Sequence, residues 1–197
     1  MSTTLPVPSI KGTAYNSVHE DLHRMVDDGR VSHEELEAAL SRPELEIFES
    51  KVLASKWYPI STYKKLLALV AQKEGKGRTE EYLVERGWRA AERLKEAGIY
   101  KQLGSEEGAG KSWGARVADL VAKISGLLYN FTRWSVDDRE NESTFHVIVD
   151  DAKDFADECR YTAQGFVSFA ASMIAGSPVK ISSQRPTPDR IIYTVRR

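Results

Sequence analysis

The C-terminal third of the chain constrains the fold most, because its apolar residues alternate, then take helical spacing, then alternate again. In residues 144–149, Phe145, Val147 and Val149 alternate with more polar neighbours, as in a strand with one buried face. Four segments have this strand-like character: residues 129–136, 144–149, 179–183 and 191–195. Helical spacing from Phe155 to Met173 separates the second pair from the first. The order strand, strand, helix, strand, strand predicts an antiparallel sheet with a helix packed on one face.

Helical patterns dominate the residues before this sheet. Apolar residues at helical spacing predict helices over residues 15–25, 63–70, 79–97 and 112–128. Gly29 follows the first helix where a residue with positive φ is favoured, and Ser32 with Glu35 forms a capping box for the next. Residues 46–56 are compatible with a strand or a helix. The fold class is therefore α+β, with the C-terminal sheet packed against N-terminal and central helices.

The length of 197 residues suits one full domain with a short helical appendage. Residues 1–13 contain two prolines and predict a flexible lead-in. We expect residues 1–45 to form this lead-in and a helical hairpin. We expect residues 46–197 to form an α+β ligand-binding-like domain.

Charge and cysteine content exclude several functional classes. Lysine and arginine number 28 against 29 acidic residues, so no bulk positive charge favours nucleic acid or an anionic membrane. Cys159 is the only cysteine, which rules out a multi-cysteine zinc site within one chain and suits a reducing compartment. No apolar run approaches the roughly 18 residues of a membrane span. We therefore expect a cytoplasmic protein without nucleic-acid binding or membrane insertion.

His19, Glu20 and His23 match the zinc-peptidase pattern H-E-x-x-H. On a helix the two imidazoles share one face and could bind zinc, with Glu20 as general base. The longer metzincin pattern fails, because Val26 and Gly29 occupy its glycine and third histidine positions. A zinc-dependent hydrolase is therefore an alternative hypothesis, and an exposed helix face explains the same residues.

Other motifs are incomplete. Residues 105–112 resemble a phosphate-binding loop, but Ser105 replaces its first glycine and no strand precedes it, so Ser112 is better explained as a helix cap. His146 could be an axial haem ligand, although a single strand histidine is more often hydrogen-bonded. Cys159 lies on an apolar helix face and is expected to be a small buried hydrophobe. No catalytic residue is assigned.

Aromatic side chains are abundant in the middle of the chain. Apolar ligand pockets favour aromatic walls with few polar groups. We expect six of these aromatic residues to line a pocket between the sheet and the helices: Trp57, Tyr58, Tyr63, Trp88, Trp134 and Phe166.

Several short segments between residues 46 and 197 share their order and spacing with a known family. They are Trp57-Tyr58-Pro59-Ile60, Tyr63, Tyr82, Gly87, Gly98-Ile99-Tyr100, Asp150-Asp151-Ala152, Gln164-Gly165-Phe166, Ala175-Gly176-Ser177-Pro178-Val179 and Tyr193-Thr194-Val195. Together they resemble an uncharacterised bacterial family, mostly from myxobacteria, that is similar to the vinyl-reductase and haem–nitric-oxide-binding superfamily. The resemblance implies a ligand-binding fold, a sensor or adaptor role, and pairing as dimers.

Two departures from that superfamily shape the functional hypothesis. The cysteine clusters of some vinyl-reductase domains are absent, and no histidine aligns with a haem ligand, so we expect no cofactor, with zinc only under the hydrolase alternative. The leading hypothesis is a non-enzymatic, cytoplasmic binding or signalling module that takes a small apolar ligand and forms a homodimer or binds a protein partner. A protein–protein adaptor without a ligand is a further alternative.

Overall fold

A computed structural model describes residues 7–102, 112–141 and 143–197. By the density of its contacts the chain divides into two compact units. The first comprises Met1–Thr79 and Leu128–Phe131, and the second comprises Glu80–Leu127 and Thr132–Arg197. This division falls later in the chain than residue 45, and the assignment of residues 46–197 to one α+β ligand-binding-like domain stays a prediction.

The first unit is mainly helical. Its elements are β1 (Ser9–Lys11), α1 (Gly12–Asp27), α2 (His33–Ala39), α3 (Arg42–Glu49), β2 (Trp57–Pro59) and α4 (Ile60–Glu74). Helices α1 and α4 pack together through buried apolar side chains. The fully buried residues of this contact are Tyr15, Val18, Leu22, Leu66, Leu67 and Val70.

The start of the first unit corrects one expectation. Residues Ser9–Lys11 form a strand that pairs antiparallel with Trp57–Pro59, and Ile10 lies opposite Tyr58. Gly12 then begins α1, where a Cβ atom would lie 2.1 Å from the carbonyl oxygen of Leu53. Most of the predicted lead-in after residue 8 is therefore ordered, because distant residues complete its hydrogen bonds.

Local signals at the helix ends are confirmed. Gly29 has a φ of 70°, and Ser32 and Glu35 form the capping box of α2. A second box, formed by Ser41 and Glu44, begins α3. Residues 46–56, whose pattern was compatible with a helix or a strand, are helical only as far as Glu49, where α3 ends. Strand β2 begins directly after them, at Trp57.

The second unit combines helices with a sheet. Its elements are α5 (Thr79–Glu96), α6 (Ile99–Gln102), α7 (Trp113–Leu128), β3 (Arg133–Asn141), β4 (Thr144–Asp150), α8 (Asp157–Ala175), β5 (Lys180–Thr187) and β6 (Arg190–Arg196). Thr79 and Leu128, at the ends of α5 and α7, belong to the first unit. Ser112 caps α7 as expected, since its Oγ accepts a hydrogen bond from the Ala115 N–H at 3.1 Å.

The sheet confirms the predicted α+β fold class. Its strands are antiparallel in the order β3-β4-β6-β5. One face is buried through Phe145, Val147 and Tyr193, and α8 contacts β5 and β6. The first hairpin differs in detail, because β3 continues to Asn141 through residues expected to form the connection.

Two glycines set the distance between α5 and α8. A Cβ atom on Gly87 would lie 1.8 Å from the Thr162 carbonyl oxygen, and one on Gly165 would lie 1.8 Å from that of Val84. The two helix backbones therefore touch where side chains would normally separate them. Among the described residues, no helix is both long and apolar enough to cross a membrane.

Candidate functional site: a histidine pair on the first unit

The H-E-x-x-H segment brings its two histidines together. His19 and His23 lie four residues apart on α1, so both side chains leave the same face of the helix. Their Nε2 atoms are 3.2 Å apart. Each also contacts the carbonyl oxygen of Phe48, at 2.7 Å from His19 and 3.0 Å from His23.

The end of α3 explains why this carbonyl is available. The last carbonyls of an α-helix have no partner within the helix. Phe48 is the penultimate residue of α3. Ser50 covers the Ile47 carbonyl with both its N–H and its hydroxyl, which leaves the Phe48 carbonyl to the two imidazoles. Sequence reasoning missed this group, because a backbone carbonyl has no residue signature.

The pair has a buried member and a more accessible member. His19 is 9% exposed, and His23 is half-buried. Burial lowers the pKa of His19, and the hydrogen bond to the Phe48 carbonyl only partly opposes this effect. His23 stacks on the Phe48 ring with centroids 4.1 Å apart and planes 10° apart. Near neutral pH the His19 ring is therefore uncharged.

Glu20 does not join the pair. Its side chain is exposed, and its Oε1 accepts a hydrogen bond from the Asn16 side-chain amide one turn earlier. Within the described residues no group of three or more histidine, cysteine, aspartate or glutamate side chains is arranged to hold a metal. The structure thus brings together two of the three residues named for zinc chemistry. The third, Glu20, is hydrogen-bonded to Asn16 instead.

Three of the six aromatic pocket candidates lie in the first unit. Tyr58 and Tyr63 are buried beside Tyr15, whose ring stacks on Tyr58 at 4.6 Å. Burial raises the pKa of Tyr15, and its hydroxyl has no hydrogen-bond partner. Trp57 is 42% exposed, with Lys11 Nζ 4.5 Å from its ring centroid.

The other three candidates lie in the second unit, in separate ring clusters. Trp88 makes an edge contact with Phe169 at 5.2 Å. Trp134 stacks on Tyr193 with centroids 6.1 Å apart. Phe166 is half-buried on α8, next to the α5 backbone at Gly87. A pocket lined by all six residues stays a prediction.

The remaining motifs have structural surroundings. Cys159 is 2% exposed on α8, as a small buried hydrophobe would be. His146 pairs across the sheet with Thr194, whose hydroxyl lies 3.1 Å from its Nδ1. Residues 105–111 of the loop that resembles a phosphate cradle lie outside the described residues.

Comparison with known proteins identifies the fold. No family model matches the chain, and no curated protein matches it. Solved H-NOX structures, which are haem nitric oxide/oxygen-binding domains, do match it. A variant from S. oneidensis in the Fe(II) state has a TM-score of 0.61 and 13% identity, over 94% of this chain and 95% of that chain.

Two further structures agree. The S. oneidensis protein in its Fe(II)NO state has a TM-score of 0.57 and 16% identity, over 94% of this chain and 98% of that chain. An oxygen-binding H-NOX domain related to soluble guanylate cyclases, as its oxygen complex, has a TM-score of 0.55 and 12% identity, over 94% of both chains. These findings support the haem–nitric-oxide-binding part of the resemblance and not a myxobacterial family.

The expectation of a module without a cofactor was wrong for this fold. H-NOX neighbours are described by their haem distortion and by their Fe(II) and Fe(II)NO states. A haem iron needs an axial histidine, cysteine, methionine or tyrosine.

The four histidines of this chain have other surroundings in the structure. His19 and His23 both contact the Phe48 carbonyl. His33 is exposed in the first turn of α2. His146 lies on the sheet face opposite the buried Phe145 and is hydrogen-bonded to the neighbouring strand. At 10–16% identity the likeness establishes the fold, and that fold is the one of the haem nitric oxide/oxygen-binding domains.

Proposed function

We propose that this chain is a non-enzymatic sensor or signalling module that binds a small ligand, with haem as the cofactor to test first. The observation that carries this proposal is the fold match, which extends over 94% of the chain to domains described as oxygen-bound or nitric-oxide-bound. The exposed Glu20, paired with Asn16, gives no support to a hydrolase. A binding role follows from fold-level analogy and needs a direct test.

We propose that the apolar ligand lies between the sheet and the helices of the second unit. Trp134 supports this location, because it is half-buried on the helix-covered side of the sheet and contacts Phe155 and Tyr193. Aromatic walls of this kind suit a flat apolar ligand.

The surroundings of the four histidines predict which type of side chain would ligate a haem iron. Because His19, His23 and His146 are hydrogen-bonded and His33 is exposed, we propose that a bound haem would take its iron ligand from cysteine, methionine or tyrosine. Replacing each histidine by alanine should therefore leave haem affinity and the Soret maximum unchanged.

The test is a titration of the full chain with haemin, followed at the Soret band. We expect a shifted band that saturates at one equivalent, lower affinity in Trp134→Ala, and unchanged affinity in the control Leu127→Ala, whose side chain is exposed. If haemin keeps its free spectrum when the wild-type chain is added, the haem proposal is overturned. Loss of the band in a single histidine variant would overturn the axial-ligand argument.

We also propose a cytoplasmic location, which the single cysteine supports, and a homodimer, which the family resemblance implies. The net charge of -1 supports a partner other than nucleic acid. Sedimentation velocity across a concentration series tests the dimer, and a single monomeric species at every concentration would contradict it.

A further inference from the structure

We propose that His19, His23 and the carbonyl oxygen of Phe48 form a binding site for a divalent transition-metal ion such as Zn²⁺. Three atoms that carry lone pairs converge here from two helices, α1 and α3. This site lies within the first unit and does not depend on the sensor proposal.

Hydrogen bonds alone cannot make all three contacts between these atoms favourable at once. A neutral imidazole has one N–H group and one nitrogen lone pair. If both Nε2 atoms carry hydrogen, both N–H groups can donate to the Phe48 carbonyl, which has two lone pairs, but the contact between the two nitrogens at 3.2 Å then has no acceptor. If one Nε2 lacks hydrogen, its lone pair faces the Phe48 carbonyl oxygen at 3.0 Å or less. A cation between the three atoms makes all three contacts favourable.

The distances suit a tetrahedral metal. Two zinc–nitrogen bonds of the usual length, at a tetrahedral angle, place the nitrogens roughly 3.3 Å apart. The observed separation of the two Nε2 atoms is 3.2 Å. The Phe48 oxygen lies somewhat closer to them, at 2.7 and 3.0 Å, so metal entry requires it to retreat by about half an ångström.

The surroundings favour a cation. The carbonyl lies at the C-terminal end of α3, which carries the negative end of the helix dipole. His23 is half-buried and leaves a path by which water can complete the coordination shell.

The ligand set identifies the class of metal. Two imidazoles with oxygen ligands suit Zn²⁺, Ni²⁺ or Cu²⁺, whereas Ca²⁺ and Mg²⁺ require oxygen ligands throughout. Because Glu20 is hydrogen-bonded to Asn16, no hydrolytic step is assigned. The ion would join α1 to α3 and stabilise the first unit.

The test is calorimetric titration of ZnCl₂ into the untagged full chain after removal of metal with a chelator. We expect one equivalent to bind, and no measurable binding in His19→Ala or His23→Ala. His33→Ala and Glu20→Gln serve as matched controls, since both residues are exposed and lie outside the three-atom site, and both should bind Zn²⁺ like the wild type. Co²⁺ should give tetrahedral d–d absorption in the wild type and in both controls, and none in His19→Ala or His23→Ala.

Stability measurements still test the proposal if one of the histidine variants folds poorly. His19 is buried, so the half-exposed His23→Ala variant, with a native circular dichroism spectrum, carries the decision. Saturating Zn²⁺ should raise the unfolding midpoint of the wild type and leave that of His23→Ala unchanged. Absence of Zn²⁺ binding by the wild type, binding retained by His23→Ala, or binding lost in Glu20→Gln would overturn the proposal. The haemin titration reads a different site, so the two proposals fail separately.

Discussion

The contact between α5 and α8 gives the sharpest prediction, because backbone meets backbone there. Gly87 and Gly165 each face a carbonyl oxygen of the opposite helix, those of Thr162 and Val84. We expect Gly87→Ala and Gly165→Ala to destabilise the protein, since a methyl group at either position would lie 1.8 Å from a backbone oxygen that cannot rotate away.

The magnitude follows from the size of this overlap. To restore ordinary contact, the two helices must separate by roughly 1.5 Å. Separation weakens neighbouring contacts such as the edge packing of Trp88 on Phe169. Overpacking costs about 1–3 kcal/mol or more, while alanine in a helix gains about 0.8–1 kcal/mol over glycine. Overlap with a rigid backbone oxygen lies at the upper end of that range, so we expect a net loss of about 2 kcal/mol for each variant.

Urea unfolding monitored by circular dichroism measures this loss. Gly126→Ala is the matched control, because Gly126 lies in α7 with nothing within 4 Å of its added Cβ. That control should gain about 0.5–1 kcal/mol from helix propensity alone. The double variant of Gly87 and Gly165 should lose less than the sum of the single variants, since one helix separation relieves both overlaps. Stability equal to or above the wild type in both single variants would refute the close helix contact.

Two further predictions concern buried and charged groups. Tyr15→Phe should stabilise the chain by about 1 kcal/mol, because the buried Tyr15 hydroxyl lacks a hydrogen-bond partner. Tyr193→Phe removes a hydrogen bond to the Arg160 carbonyl and is the destabilising control. Thermal unfolding measures both variants. Burial alone would raise the pKa of Asp157, but the Arg160 guanidinium and a second arginine hold this pKa below its ordinary value. The resulting stabilisation is present above the ordinary aspartate pKa and is lost as pH falls through the lowered pKa of the folded state. Asp157→Asn should therefore flatten the acid limb of the stability curve, and an unchanged limb would contradict this.

Sequence patterns that act locally predicted the secondary structure well. The alternation around Phe145 and the helical spacing after Phe155 predicted the sheet and its covering helix, because side-chain period follows backbone geometry. Gly29 and Ser112 marked helix ends, since positive φ and N-cap hydrogen bonds depend on one residue and its near neighbours.

Groups without a residue signature could not be predicted. Strand β1 has three residues and exists because residues 57–59 supply its partners. The pairing of His19 with His23 followed from helical spacing, but the third member of the site is the Phe48 carbonyl, whose position depends on where α3 ends and how it packs against α1.

The sequence by itself determined the helices, the strands, their order and the shared face of the two histidines, because each depends on short-range periodicity and capping. Tertiary structure alone decided which carbonyl the histidines meet and why Gly87 and Gly165 must be glycine. These features depend on the distance between elements far apart in the chain, and packing sets that distance through contacts that no single segment encodes.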